Sequence, residues 1–315
     1  MIWIAAALLL AWLIYRTRAN LRIRRPPVVD EGGRPYERHD VTLSDGETVP
    51  LIDSGSGPAI LLIPGADGIR ETWRYQVPVL ARRHRVLAPD LRCSVPAGAT
   101  FERLWRDALE VLDARGVANA VVIGQSLGGA IALALAAARP ERVRGLVIAN
   151  SLARVGYQHV GLNRTLLVPV AMATTRYLPT VLARWCARAW CRLEVWIYDS
   201  SPGWRQLIDY ALWTGPRTVS PRVSSARVAL LKREDLRPSL GGIVAPTVVV
   251  KGPRDSYVPV AWSREIAGLV PGATYREIAG TGHCSHVSMP ETFNAVVLAW
   301  LDDTGDVGGS KEGET

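Results

Sequence analysis

The chain has 315 residues, 48% of them hydrophobic, with 37 basic residues against 29 acidic ones and a formal net charge of +8. That length and apolar share suit one large α/β domain or two small ones, which excludes wholesale disorder and a small disulfide-stapled scaffold. A polytopic membrane protein is excluded too, because one stretch alone stays free of charge long enough to approach a bilayer crossing.

The charge is local. Residues 1–25 hold Arg16, Arg18, Arg22, Arg24 and Arg25 and no acid, residues 152–240 hold 13 basic and 5 acidic residues, the tail 302–315 carries −4, and the remainder sums to −1. No recognition motif accompanies either basic block, so nucleic-acid binding finds no support.

Ile2–Tyr15 is an unbroken apolar run that contains Trp3 and Trp12 and meets the arginine cluster at once. At ~1.5 Å per residue it reaches about 21 Å, short of the roughly 30 Å hydrocarbon core, though arginine stems can snorkel. The pattern predicts an N-terminal anchor with a basic flank over 1–25, single-pass or monotopic. A membrane surface is then a partner, and the positive-inside bias puts the domain on the cytoplasmic side. A cleavable signal fits less well, because the charges follow the apolar run; a helix packed on the protein itself is the third reading. Pro26, Pro27, Gly32, Gly33 and Pro35 mark residues 26–40 as a linker. Cys93, Cys186, Cys191 and Cys284 form no CxxC pair and no metal spacing, and no cofactor motif is present.

From about residue 41, β-branched runs alternate with helical patterns. Strands are expected at Ala59–Ile63, Arg85–Ala88, Asn119–Ile123, Val143–Ala149, Thr247–Val250 and Ala273–Ile278. Helices are expected at Glu71–Arg83, Phe101–Arg115, Ala130–Ala138 and Thr292–Leu301. Such alternation implies an α/β fold with a parallel sheet covered on both faces, divided into 41–151 and 241–301. Residues 152–240 break the rhythm: they keep helical periodicity, hold nine of the 22 aromatic residues and read as a helical insertion. Residues 302–315 read as a flexible acidic tail.

Val121-Val122-Ile123-Gly124-Gln125-Ser126-Leu127-Gly128-Gly129 carries the chemistry. Glycines two residues either side of a serine suit a strand-to-helix turn too tight for side chains, which lifts the hydroxyl clear of the sheet at a helix N-terminus. The bland reading is a serine that caps the helix. A serine nucleophile needs a base and the base an orienting acid. Of His39, His84, His159, His283 and His286, His283 follows Gly280-Thr281-Gly282 past the last strand, where ligand sites of open sheets gather, and His286 is its rival. Asp255, in the loop after Val248-Val249-Val250-Lys251-Gly252, falls at the same sheet edge; alone it would read as an ordinary loop aspartate, but it completes the chain order Ser126, Asp255, His283. Cys284 reads as a small pocket residue, with a reactive thiol as the alternative.

With these motifs, and with Asp90-Leu91-Arg92, Val258-Pro259 and Pro290 in place, the chain resembles an α/β-hydrolase over about residues 41–301. The resemblance implies an eight-stranded, mostly parallel sheet with the 152–240 insertion as a cap over the active site, and an oxyanion hole at the backbone amides of Leu127 and Ala66. Two positions depart from many relatives: Pro64-Gly65 stands for His-Gly, and Asp90-Leu91-Arg92-Cys93 for Asp-x-Arg-Gly. A serine nucleophile separates the chain from the aspartate-using dehalogenase and epoxide-hydrolase branches. Within the insertion, Arg184, Arg188 and Arg192 share a helix face, and Val181, Leu182, Trp185, Trp190, Leu193 and Trp196 fill much of the rest. This suits either a helix at a membrane interface or a cap helix lining an apolar pocket. The expected activity is hydrolysis of a hydrophobic, lipid-like carboxylic ester. A perhydrolase or C–C bond hydrolase on the same triad, and a non-catalytic adaptor of the same fold, are the alternatives.

Overall fold

The computed structural model describes residues 2–20, 25–155, 166–195, 197–213 and 218–305. Arg22, Arg24, His159, Trp196 and the tail beyond 305 lie outside the described residues.

Eight strands make one sheet in the order β1-β2-β4-β3-β5-β6-β7-β8. They are β1 Arg38–Thr42, β2 Thr48–Ser54, β3 Ala59–Ile63, β4 Arg85–Pro89, β5 Ala120–Gln125, β6 Val143–Ala149, β7 Thr247–Lys251 and β8 Thr274–Glu277. The pairs β1–β2 and β2–β4 are antiparallel, and every pair from β4–β3 to β7–β8 is parallel. In register, Leu61 faces Val122, Val122 faces Leu146 and Ile148 faces Val249.

The period of two along each strand sorts these side chains between two apolar layers. Leu61, Ile63, Val122, Ile148 and Val249 bury against α3 (Phe101–Ala114) and α4 (Leu127–Ala138). Ile60, Leu62, Val121, Ile123 and Val147 bury with Trp73, Phe293 and Trp300, the last two on the closing helix Pro290–Asp303. At roughly 1.5–3 kcal/mol per large side chain removed from water, this double-sided burial gives the sheet a rigid carboxyl edge.

Two expectations fail on local chemistry. The helix expected over Glu71–Arg83 is broken into a 3-10 turn, Arg70–Trp73, and a single α-turn, α2 (Val77–Leu80). Pro78 explains the break, since it has no amide to bond back four residues and its ring crowds the carbonyl there. Residues 26–40 are no free tether: Val28 is buried, Val29 bridges Pro35, Arg25 pairs with Glu71 and Asp90 at 2.9 and 3.0 Å, and β1 begins at Arg38.

The N-terminal anchor is corrected as well. Ile2–Asn20 forms a helix, α1, but among the described residues no helix is long and apolar enough to cross a membrane. Arg16 and Arg18 enter its last turns and shorten the apolar stretch. The helix leans instead on the β6–β7 segment, where Thr17 Oγ1 donates to the Tyr177 carbonyl at 2.9 Å. Its first turns, with Trp3 and Ile4, are exposed. The membrane placement and the cytoplasmic-side orientation argued from that anchor fall with it.

Between β6 and β7 the chain is helical: α5 (Val168–Tyr177), α6 (Thr180–Arg192), α7 (Trp204–Trp213), α8 (Pro221–Leu231) and the short α9 (Arg237–Leu240). Ala171, Ala183, Ala187, Tyr198, Leu207 and Ile208 form a third apolar layer, which takes in Cys284 and Val287 beside the last strand. On α6 the small residues Ala183, Ala187 and Cys191 face inward, whereas Val181, Leu182 and Trp185 are exposed. A stripe of small residues every four positions lets neighbouring backbones approach closely, and it turns the tryptophan outward.

Candidate active site

The turn from β5 into α4 is built as its glycines require. Ser126 sits at φ 54°, ψ −120°, a conformation that costs an L-residue about 1–3 kcal/mol and persists only when its surroundings enforce it. The enforcement is steric. A Cβ on Gly124 would lie 2.3 Å from the Gly128 carbonyl oxygen, and one on Gly128 would lie 2.2 Å from the Ile63 oxygen. Hydrogen bonds complete it: the Ser126 amide donates to the Ala149 carbonyl at 2.9 Å, and Ser151 Oγ donates to the Ser126 carbonyl at 2.6 Å. Gly128→Ala is therefore expected to lower the melting temperature by a clash of about 2–4 kcal/mol, measured by calorimetry. An unchanged melting temperature would show that the turn relaxes freely.

Three loops leave the carboxyl edge of the sheet and bring Ser126, His283 and Asp255 together. His283 Nε2 lies 3.1 Å from Ser126 Oγ, and its Nδ1 lies 2.9 Å from Asp255 Oδ2. With Nδ1 donating to the carboxylate, Nε2 is left to accept from the serine hydroxyl; this tautomer is assigned from the hydrogen-bond network. Ser126 and His283 keep 7% and 6% of their surface, so both are enclosed yet not sealed.

Asp255 is fully engaged. Its Oδ1 accepts the amides of Tyr257 and Val258, both at 2.8 Å, and its Oδ2 accepts from Lys251 Nζ at 2.5 Å as well as from His283. Burial alone would raise this carboxyl, but His283 and Lys251 outweigh it and hold it at about 2. Lys251 is wholly buried, donates also to the Val258 carbonyl at 2.6 Å, and is pushed down by that burial.

The His283 loop is fixed from several directions. Asp199, from the β6–β7 segment, accepts the Gly282 amide at 2.6 Å. Asn150 Nδ2 and Gln125 Nε2 donate to the His283 carbonyl at 2.7 and 3.1 Å, while Asn150 Oδ1 accepts the Gly252 amide at 2.7 Å. Asn150 thus ties the aspartate loop to the histidine loop. The Tyr257 ring and the imidazole meet in a T-shaped arrangement, their centres 5.2 Å apart.

His286 is placed elsewhere. Its Nε2 pairs with Thr72 Oγ1 at 2.9 Å, its ring packs on Trp73 and Phe293, and burial lowers it to about 3, so it stays neutral. His84 is buried under the Leu80 carbonyl and His39 lies on β1. Burial raises the Cys284 thiol, which removes the thiolate that a reactive cysteine needs.

Leu127, the first residue of α4, has an amide with no acceptor inside its helix. The Ala66 amide donates to no backbone carbonyl among the described residues. Beside Ala66 lies Asp67, half-buried: the position a Cβ on Gly65 would take is 3.6 Å from Asp67 Oδ1 and 3.5 Å from Ser126 Cβ. Burial pushes this carboxyl up to about 6 against the pull of Arg227, and the Tyr210 hydroxyl donates to its Oδ2.

Residues 60–296 match the alpha/beta hydrolase family. The chain belongs to that family. Among its relatives, the protein named carbamate hydrolase RutD of Azorhizobium caulinodans is 32% identical over 260 residues, which cover 79% of this chain and 93% of its own. A hydrolase from Pseudomonas aeruginosa has 27% identity and a TM-score of 0.65, with 84% of this chain and 98% of its own aligned. The enol-lactonase from Burkholderia xenovorans has 25% identity and a TM-score of 0.65, with 84% and 100% aligned. For this alpha/beta hydrolase, sequence reading missed Lys251, Asn150, Asp199 and Asp67. Only Lys251 left a signal, as a lone charge closing an apolar strand.

Proposed function

We propose that this hydrolase cleaves a carboxylic ester by acyl transfer through Ser126, with His283 as base and Asp255 as its orienting acid. One observation carries the reading: the continuous relay from Ser126 Oγ through the imidazole to Asp255 Oδ2, at 3.1 and 2.9 Å, on a serine held at φ 54°. The serine attacks the substrate carbonyl carbon as its proton passes to His283 Nε2. The alkoxide then leaves with that proton, and water, deprotonated by the same imidazole, attacks the acyl-enzyme and releases the acid and Ser126. Amides of Leu127 and Ala66 face the negative oxygen of each tetrahedral intermediate; a single such donor is typically worth about 3 kcal/mol.

For the substrate we favour a hydrophobic ester, on the strength of the third apolar layer of the β6–β7 segment, which closes over Cys284 next to His283. A second reading rests on Asp67. Its carboxyl, one residue from the Ala66 amide, can accept an N–H, and this suits a carbamate, the substrate class in the name of the RutD relative. An equal-concentration panel of p-nitrophenyl acetate, octanoate and palmitate with an aryl carbamate separates them. The ester reading expects octanoate or palmitate to exceed acetate in kcat/KM by about tenfold or more, a gain set by buried methylenes. Faster turnover of acetate, or of the carbamate, overturns it.

A further inference from the structure

We propose that Arg227, on α8, is a positioning residue for the Ala66 amide, and that the β6–β7 segment thereby sets the oxyanion hole. The inference rests on the role given to Ala66 above. Arg227 keeps 2% of its surface and, among the described residues, forms no hydrogen bond to a carboxylate. Its donors go to main-chain carbonyls instead. Nη1 reaches Ala66 and Asp67, each at 3.0 Å; Nη2 reaches Leu91 at 3.1 Å and also Arg92; Nε reaches Arg92 at 3.2 Å. A buried guanidinium without a hydrogen-bonded counter-ion is costly, and burial does lower its pKa. It is tolerable here because four carbonyl dipoles stand in for water.

The Ala66 and Asp67 carbonyls belong to the turn that aims the Ala66 amide, and those of Leu91 and Arg92 belong to the neighbouring loop after β4. The Gly68 amide donates to the Gly65 carbonyl at 2.9 Å, and the Leu91 amide donates to the Gly68 carbonyl at 2.9 Å. The Gly65 carbonyl and the Ala66 N–H share one planar peptide unit and point in opposite directions. Pinning the first toward Gly68 therefore turns the second away from the turn. Arg227 fixes the next two peptide planes by their oxygens, so the unit cannot roll.

Two sequence features fit this arrangement. Gly68 has φ +66°, and a Cβ there would lie 2.1 Å from Arg227 Nη1, so the arginine fills the space beside that glycine. Pro64, just before the turn, has neither an amide hydrogen nor a side-chain donor with which to brace it. The brace arrives from a residue 161 positions away.

The test compares wild type, Arg227→Met, Arg227→Lys and Gly68→Ala. The readouts are kcat and KM on the preferred p-nitrophenyl ester, the Kd of an alkylboronic acid that forms a tetrahedral adduct on the serine, and the melting temperature. Folded Arg227→Met is expected to lose about 10–100-fold in kcat, a fraction of what losing a whole oxyanion donor costs, with KM within about threefold and boronate affinity down by a factor close to that in kcat. Arg227→Lys, a point charge without the fork, should recover part of it, and Gly68→Ala should reproduce the loss by displacing the guanidinium. Unchanged kcat, a loss confined to KM, or unchanged boronate affinity overturns the proposal. Should Arg227→Met fail to fold, the lysine and Gly68→Ala variants decide by the same criteria. If wild type itself neither binds the boronate nor reacts with a fluorophosphonate, the acyl-transfer reading fails first, which keeps the two failures apart.

Discussion

Replacing Ser126 by alanine is expected to lower kcat for ester hydrolysis by about a millionfold, the size seen when the nucleophile of such a relay is removed. The melting temperature should stay the same or rise. Among the described residues the hydroxyl hydrogen-bonds to His283 Nε2 alone, so its loss strands no other buried group there. Alanine also takes up the same backbone conformation, with the surrounding glycines unchanged. A small residual rate above water is expected, because the Leu127 and Ala66 amides still face the carbonyl oxygen. Steady-state kinetics of the purified variant, with a fluorophosphonate titration to exclude wild-type carry-over, measure it. A fall of less than about a hundredfold would mean that another group attacks the carbonyl.

Asp255→Asn should be the next most damaging change. An amide NH2 facing His283 Nδ1 donates where the carboxylate accepted, so the ring proton moves to Nε2 and the imidazole can no longer take the Ser126 proton. A loss of about ten thousandfold in kcat is expected, as for the equivalent swap in a serine protease triad. The variant also carries a stability signature. His283 and Lys251 hold the Asp255 carboxyl at about 2, against an ordinary value of 3.8. A carboxyl depressed on folding adds stability above its unfolded pKa and loses it as the pH falls through the folded one. Wild type should therefore lose about 2 kcal/mol through this group between roughly pH 4 and pH 2. Asp255→Asn should show a shallower decline over that window in urea titrations. Parallel stability curves for the two proteins would show that Asp255 is not held in its charged form as described.

Lys251 gives that carboxylate an unusual environment. The same oxygen, Oδ2, accepts from both Lys251 Nζ and His283 Nδ1, and the lysine is wholly buried. Its other bond, to the Val258 carbonyl, closes the loop that delivers Asp255. A buried ion pair contributes uncertain net stability against an apolar substitute. Its clearest effect here is geometric: with four donors on two oxygens, the carboxylate has one orientation.

What the sequence made legible follows from the range of the forces involved. The Gly124–Gly128 turn was readable because its constraint is steric and local, and the structure places each missing Cβ within 2.3 Å of a backbone oxygen. Strands β3 to β7 were readable because a strand buried on both faces must be apolar throughout, a pattern that the largely exposed edge strand β8 does not share. The antiparallel strands β1 and β2 were not: Arg38–Thr42 buries only Val41, a pattern that a solvated edge shares with a loop. At Glu71–Arg83, helical periodicity continued through Pro78 although the backbone could not. The N-terminal run was apolar enough to suggest an anchor, but the arginines of its last turns and its seat on α5 changed that reading.

Positions that support the site from afar were the least legible. Asp199 meets Gly282 across 83 residues, Asn150 meets His283 across 133, and Arg227 meets Ala66 across 161. No periodicity or spacing encodes such contacts. They exist only once distant segments of the chain have come together at the sheet edge. The alpha/beta hydrolase fold thus exposes its nucleophile through a few adjacent residues, while the geometry around that nucleophile is assembled from the whole chain.

Mass spectrometry of the wild-type protein after reaction with a fluorophosphonate tests the central claim most directly, by locating the adduct on a proteolytic peptide. One equivalent bound covalently to Ser126, with ester hydrolysis lost in proportion to labelling, is the predicted result. An adduct on any other residue, or full ester hydrolysis in protein that carries no label after exhaustive treatment, would contradict it.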